Sequence, residues 1–316
     1  MKKTRVIIAL GGNALEEKGR PSTAEVQLEI VKRTSEYIAD IIAAGYEVAI
    51  VHGNGPQVGR ILLASETASE VTPTMPFDVC GAMSQGYIGY HIQQGLKPAL
   101  EKRGIHLPVV SLVTQMVVDP KDPAFMNPTK PIGPFYSEDI AKRFAKEKGF
   151  VVKEDAGRGW RRVVASPIPK RVVEIETVKA LWGKTVVVTC GGGGIPVVEK
   201  EDGSLMGVDA VIDKDFAAER LAEDLDADLL LILTDVENVS LCFHTPDEQL
   251  LEHLNVKDAQ KYIEEGQFAS GSMLPKVMAA TAFVRSKHGR RAIITSLYKA
   301  MDALNGECGT VIDENN

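Results

Sequence analysis

Three lysines in this chain stand where a side chain can reach a bound anion. Lys130 lies in Asn-Pro-Thr-Lys-Pro-Ile-Gly-Pro, among prolines that stiffen the backbone and can hold the side chain out. Lys214 is flanked by Asp213 and Asp215, just ahead of a helical pattern. Lys276 follows Gly-Ser-Met-Leu-Pro at the start of another helix, where free N–H groups already favour anions. Each alone reads most simply as a solvated surface lysine, since lysines are almost never buried unpaired. Together they suit phosphoryl transfer, a reaction catalysed almost wholly by positioning and charge stabilisation. One well-placed cation is worth about 10³–10⁵ in rate there. No Walker A loop supplies it. Gly183, Lys184 and Thr185 match the tail of that motif, but Val178 stands where its first glycine should be.

The elements that must position such lysines begin with residues 6–13, Val-Ile-Ile-Ala-Leu-Gly-Gly-Asn. Five apolar residues without alternation read as a strand buried on both faces. The strand stops at two glycines, and a helical pattern follows. Such a junction leaves bare N–H groups at a sheet edge, which suit phosphate. The same grammar recurs at residues 48–55 and 186–194. Any one of the three alone reads more readily as an ordinary tight turn; three together favour a phosphate-handling sheet protein.

Further along, residues 22–44 repeat apolar positions at helical spacing, with Ser22 or Thr23 as cap and Gly45 as stop. Residues 47–51 then complete a right-handed βαβ unit. A second helix starts near Pro56. Residues 77–100 carry small and aromatic residues at helical spacing, which fits a tightly packed core helix as well as a dimer contact. Residues 109–118 read as one strand. Composition shifts at Asp119, with five prolines up to Pro134, then a charged helix at 138–148 and strand patterning near 151–152 and 163–164. This reads as a small ordered subdomain protruding beside the main sheet, about residues 119–170. Beyond Thr185 the alternation of strands and helices resumes, with strands at 186–190, 229–233, 291–295 and 310–312, a polar turn at 199–204, and helices to about Leu225, at 256–265 and at 275–287. Alternating elements with fully apolar strands predict an α/β fold with a mainly parallel sheet.

Composition narrows the function. The chain has 316 residues, 44% hydrophobic, enough for a large core, and a formal charge of −7 that disfavours a broad nucleic-acid or anionic-membrane surface. Four scattered cysteines form neither a zinc site nor a disulfide framework. The apolar segment after the charged N-terminus breaks at Gly11, too short for a signal peptide. No run reaches membrane-span length. A cytoplasmic protein is expected. Gly53-Asn-Gly-Pro-Gln-Val-Gly is one residue too long for the dinucleotide fingerprint, and the hydrolase and zinc-protease signatures are absent. His52 reads as a packed or hydrogen-bonded histidine rather than a catalyst.

Several longer stretches resemble the carbamate kinase family. They include Ala-Leu-Gly-Gly-Asn-Ala-Leu, Gly-Asn-Gly-Pro-Gln-Val-Gly, Asn-Pro-Thr-Lys-Pro-Ile-Gly, Gly-Trp-Arg-Arg-Val-Val, Ala-Val-Ile-Asp-Lys-Asp and Gly-Ser-Met-Leu-Pro-Lys-Val, and the matches run from residue 9 to residue 310. The resemblance implies the amino-acid kinase fold, a three-layer αβα sandwich with a mainly parallel central sheet and a small protruding subdomain. It implies one domain over 1–316, with an acceptor lobe to about 212 and a nucleotide lobe from about 213. The activity implied is reversible phosphoryl transfer between ATP and carbamate, giving ADP and carbamoyl phosphate, with Mg²⁺ carried by the nucleotide. Service in arginine catabolism and a homodimer are implied as well. By motif, Gly11, Gly12, Asn13, Gly53 and Asn54 would cradle acceptor and phosphoryl group, with Arg161 a further anion-binding candidate. Lys130, Lys214 and Lys276 would stabilise the phosphates, with Asp215 orienting the lysines. Asp235, Met273 and Pro275 would lie near the nucleotide. Relatives that phosphorylate amino acids resemble Lys-x-Gly-Gly at the first junction, where this chain has Ala9; Lys130 and Lys214 must then supply the charge. Ser270 stands where the family commonly has proline. Competing readings are another acyl-phosphate-forming kinase, which the missing lysine disfavours, a silent nucleotide or carbamoyl-phosphate sensor, and a dinucleotide dehydrogenase, which the glycine spacing disfavours.

Overall fold

The apolar runs assemble into an eight-stranded sheet, and the two-residue period of each strand sorts its side chains into two cores. In a computed structural model describing residues 3–17, 19–155 and 157–315, the strand order is His253–Asn255, Thr310–Asp313, Arg291–Ser296, Leu229–Thr234, Arg5–Leu10, Glu47–His52, Val186–Val188 and Val109–Ser111. Neighbours pair in parallel except Thr310–Asp313 against Arg291–Ser296. Ile7, Ala9, Val51, Leu230 and Ile232 share one core with the helices Lys214–Asp224 and Met273–Arg285. Ile8, Leu10, Ile50 and Leu231 share the other with Ala24–Ala43 and Phe77–Glu101. Helices on both faces of a parallel sheet give the αβα sandwich, as the resemblance implied.

Local rules explain the element ends. Thr23 caps Ala24–Ala43 by accepting from the Val26 N–H at 3.4 Å. Helix Gly55–Thr67 takes Pro56 in its first turn, where the missing N–H costs nothing. The small residues of Phe77–Glu101 face two ways. A Cβ on Gly95 would lie 2.6 Å from Ser35 Oγ, and one on Gly89 1.9 Å from Ser111 Oγ, so these two permit core packing. Gly81 and Gly86 face open space, on a helix that also leaves Val79, Met83 and Tyr90 exposed.

Residues 109–118 form two strands rather than one. Val109–Ser111 ends the eight-stranded sheet, whereas Gln115–Val118 joins a second sheet with Leu205–Gly207, Ile195–Glu199 and Pro169–Val172. The break falls at buried Thr114, whose N–H goes to Gln85 Oε1 at 2.7 Å instead of to a strand. The protruding segment holds helix Glu138–Lys148 and a three-stranded sheet of Lys130–Tyr136, Trp160–Val164 and Val152–Glu154. Lys130–Tyr136 is a strand despite Pro131 and Pro134 because it lies at the sheet edge, where a missing ladder donor is tolerated.

One buried carboxyl makes stability depend on pH. Glu219, on the core side of Lys214–Asp224, is pushed up to about 8 by burial and then by its hydrogen bond with Glu223. Its folded-state value lies above the unfolded value of 4.5, so its contribution is fully present below about 4.5 and is lost as pH rises through about 8. Replacing Glu219 with Gln is therefore expected to flatten the fall in Tm between about pH 5 and pH 8.5. Thermal melts of both proteins across that window check this, and a Tm gap that does not change with pH would contradict it.

Candidate active site

The carboxyl ends of the parallel strands carry the glycine junctions, and between them opens a cavity of about 220 Å³. Gly53 and Asn54 line it from the end of Glu47–His52, Lys130 from the protruding sheet, and Asp213, Lys214 and Asp215 from the start of Lys214–Asp224. Lys276 reaches it from the first turn of Met273–Arg285. Four segments far apart in the chain thus meet in one place.

The charges are paired in a definite order. Asp215, 2% exposed, accepts from Lys214 Nζ on Oδ1 and from Lys276 Nζ on Oδ2 at 3.1 Å. Asp213 Oδ2 accepts from Lys130 Nζ at 2.9 Å, while its Oδ1 caps the helix by accepting from the Asp215 N–H at 3.0 Å. Burial pushes the Asp213 carboxyl up, but the Lys130 charge and hydrogen bond, with the Asp215 N–H, outweigh it and hold Asp213 below the usual carboxylate range. Burial pulls the Lys214 ammonium below the usual lysine range; Asp215 opposes that shift and Lys276 adds to it. Three ammonium groups against two carboxylates leave a net positive charge, arranged for an anion.

Glycine is required where the Val186–Val188 strand ends. Gly192 and Gly193 have φ of +66° and +94°, and a Cβ on Gly192 would strike the Asn54 amide at 2.2 Å while one on Gly193 would strike the Ile212 carbonyl at 2.1 Å. The run therefore brings Asn54 and the segment ahead of Lys214 together. Asn54 Nδ2 also donates to Ser84 Oγ at 2.8 Å.

A second cavity, of about 350 Å³, adjoins the first and shares Ser272 and Lys276 with it. Asp235 and Met273 line it, with Phe243, His244 and Phe268 as rings along its wall. An apolar cleft that leads to a cluster of lysines fits a molecule with a flat ring at one end and phosphates at the other.

Residues 4–296 match the model of the amino acid kinase family. The chain belongs to that family. It is 55% identical to the carbamate kinase of Pyrococcus horikoshii, over 98% of each chain, and 55% identical to that of Clostridium perfringens, over 98% of this chain and 99% of the relative. Among solved structures, the carbamate kinase of Giardia lamblia bound to AMP-PNP superposes with a TM-score of 0.93 at 46% identity, covering 99% of each chain. This amino acid kinase is accordingly a phosphotransferase.

The structure gathers most of the predicted site residues of this kinase, but not all. Lys130, Lys214, Asp215, Lys276, Gly53 and Asn54 line the central cavity, and Asp235 and Met273 the adjoining one. Pro275 lies in the first turn of the helix that presents Lys276. Gly11 lines a third cavity, with Asp235, Ser296 and Tyr298, where its close approach leaves a Cβ only 2.9 Å from the Leu233 carbonyl. Gly12 is exposed, and its carbonyl accepts from the Leu15 and Glu16 N–H groups. The side chain of Asn13 lies outside the described residues. Arg161 stays within the protruding sheet, donating to the Gly133 carbonyl at 2.9 Å and pairing with Asp155 at 3.2 Å. Sequence reasoning passed over Asp213, although an aspartate directly before a helix start is an N-cap signal. The aromatic lining at 243–244 and 268 carries no such signal.

Among the described residues no group of three or more His, Cys, Asp or Glu side chains could hold a metal ion. The two carboxylates of the cavity are engaged by lysines. The site therefore does not fit a metal ion caged by protein ligands alone. Among the described residues no helix is long and apolar enough to cross a membrane.

Proposed function

We propose that this chain transfers a phosphoryl group reversibly between ATP and carbamate, giving ADP and carbamoyl phosphate. The convergence of Lys130, Lys214 and Lys276 on one cavity around Asp213 and Asp215 carries this reading. The acceptor lobe comprises residues up to about 212 and the nucleotide lobe those from about 213. Adenine and ribose would lie in the cavity beside Met273 and Asp235, where the ring-lined wall suits a flat base; the Giardia lamblia relative is itself bound to AMP-PNP. The phosphates then reach Lys276 and Lys214. Magnesium arrives with the nucleotide and neutralises phosphate charge when bound.

In the direction of ATP synthesis an oxygen of the ADP β-phosphate attacks the phosphorus of carbamoyl phosphate, the bond from phosphorus to the carbamate oxygen breaks, and carbamate leaves. Both nucleophile and leaving group are already anions, so no general base is required. Lysines on either side of the transferred group stabilise the charge that spreads over its oxygens. The absence of a lysine at position 9 separates this acceptor from amino acids. A cytoplasmic role forming ATP during arginine breakdown fits that direction. The deciding experiment is a coupled assay for ATP from carbamoyl phosphate and ADP, run beside N-acetylglutamate with ATP. Turnover in the first and none in the second is expected; the reverse would overturn the reading.

The protein acts as a homodimer through helix Phe77–Glu101, whose exposed Val79, Met83 and Tyr90 flank the open face of Gly86. Apolar side chains at helical spacing around a glycine allow close helix approach. Met83→Glu is expected to halve the mass measured by sedimentation equilibrium, and an unchanged mass would rule out this face.

A further inference from the structure

We propose that His52 is a positioning residue: its imidazole pins the Gly53 carbonyl inward, which fixes the Gly53–Asn54 peptide with its N–H facing the central cavity as a donor to the transferred phosphoryl group. The inference deepens the proposed function and rests on it. His52 is 1% exposed, at the end of Glu47–His52, and is not among the residues that line the cavity. Its Nδ1 is 2.8 Å from the Gly53 carbonyl oxygen. A carbonyl oxygen only accepts, so Nδ1 carries the proton and donates. Burial depresses the ring to about 4, which keeps it neutral near neutral pH.

The consequence follows from peptide geometry. A trans peptide is planar, with its C=O and N–H pointing in opposite directions. No described peptide bond is cis. With the Gly53 carbonyl turned onto a buried ring, the Asn54 N–H of the same peptide must point away from it, and Gly53 and Asn54 both border the cavity. Among the described residues that N–H meets no backbone acceptor. It also stands at the N-terminus of the thirteen-residue helix Gly55–Thr67, where a donor suits an anion.

The rest of the shell holds the imidazole in place. A Cβ on Gly191 would lie 2.4 Å from Nε2, so glycine there lets the ring fit. Gln85 fastens that glycine, donating to the Gly191 carbonyl at 2.9 Å and to the Thr114 carbonyl at 3.0 Å. The break in the strand pattern at Thr114 and the glycine run thus serve one arrangement.

The test compares two replacements. His52→Leu keeps apolar bulk but loses the donor, and His52→Asn can place an amide N–H near the position of Nδ1. Removing one such transition-state donor costs about 10²–10³ in rate; because His52→Leu misplaces the donor without deleting it, kcat/KM for carbamoyl phosphate is expected to fall about 10–10²-fold. His52→Asn should recover most of that loss. ADP affinity, measured by calorimetry, should stay within about twofold of wild type in both, since ADP makes its main contacts elsewhere. The pH profile between about 6 and 9 should keep its shape, because His52 does not titrate there. The proposal is overturned if His52→Leu keeps wild-type kcat/KM, or if a folded His52→Asn that binds ADP normally falls as far as His52→Leu. A shifted acid limb would make His52 an acid–base group and overturn it too. If His52→Leu does not fold, the Asn variant is judged against wild type: a fall of about tenfold or more in kcat/KM with normal ADP binding overturns the proposal. Wild-type turnover of carbamoyl phosphate, read in the same assay, tests the underlying function separately.

Discussion

Lys214→Ala is expected to lower kcat for ATP formation from carbamoyl phosphate and ADP by about 10³-fold or more while leaving the fold intact. The Lys214 stem lies over Gly53, whose Cβ, if present, would stand 3.5 Å from Lys214 Cδ, so the side chain is held against the end of Glu47–His52. Its side chain is 13% exposed and its charge is fixed on Asp215. A cation prearranged in a nearly dry site needs no reorganisation when charge develops on the phosphoryl oxygens, which is why the kinetic loss should be large. Stability should suffer less, because Asp215 keeps Lys276 as partner. Steady-state kinetics with a thermal melt checks both halves. A variant with near-wild-type turnover would remove Lys214 from the reaction.

Asp215→Asn should be nearly as damaging, by a different route. The carboxylate bridges Lys214 and Lys276, and without it two ammonium groups face each other across a buried site. Breaking a buried ion pair by removing one partner costs about 3–5 kcal/mol. Lys214 is already depressed by burial, with Asp215 as the chief opposing influence. Its removal moves the Lys214 ammonium further down, so the proton needed for charge stabilisation is lost at lower pH. The expected outcome is a kcat lowered about 10²-fold and an alkaline limb displaced toward neutrality. An alkaline limb that stays in place would show that Lys214 does not depend on Asp215 for its proton. Added nucleotide should raise the Tm of the variant more than that of wild type, because its phosphates replace the missing negative charge.

The site divides into residues that reach outward from rigid ends and residues that hold those ends. Lysines at helix starts and on an edge strand are visible from local context, because caps, prolines and glycines act within a few residues. Asp213 is of the same kind, and its N-cap position makes its omission avoidable. Gln85 and Ser84 are different. They sit mid-helix in Phe77–Glu101, and nothing near them in the chain distinguishes them from solvent-facing polar residues. Their partners Thr114, Gly191 and Asn54 are between 29 and 106 residues away.

What the sequence determined by itself was the layer architecture. Continuous apolar strands ending in glycine force a buried parallel sheet with open N–H groups at its carboxyl edge, whatever the detailed packing. Long specific motifs did the same for the family. Tertiary structure decided which charges meet. The pairing of Lys130 with Asp213, the bridge from Asp215 to two lysines, and the split of residues 109–118 between two sheets are all long-range. They depend on strand order and on the close approach that Gly192 and Gly193 permit. Arg161 shows the limit from the other side: its motif made it only a candidate for anion binding, and its fold neighbours engage it through the Gly133 carbonyl and Asp155. Local sequence can place a charged group at a loop, but its partner is set by whatever distant segment the packing brings within about 3 Å.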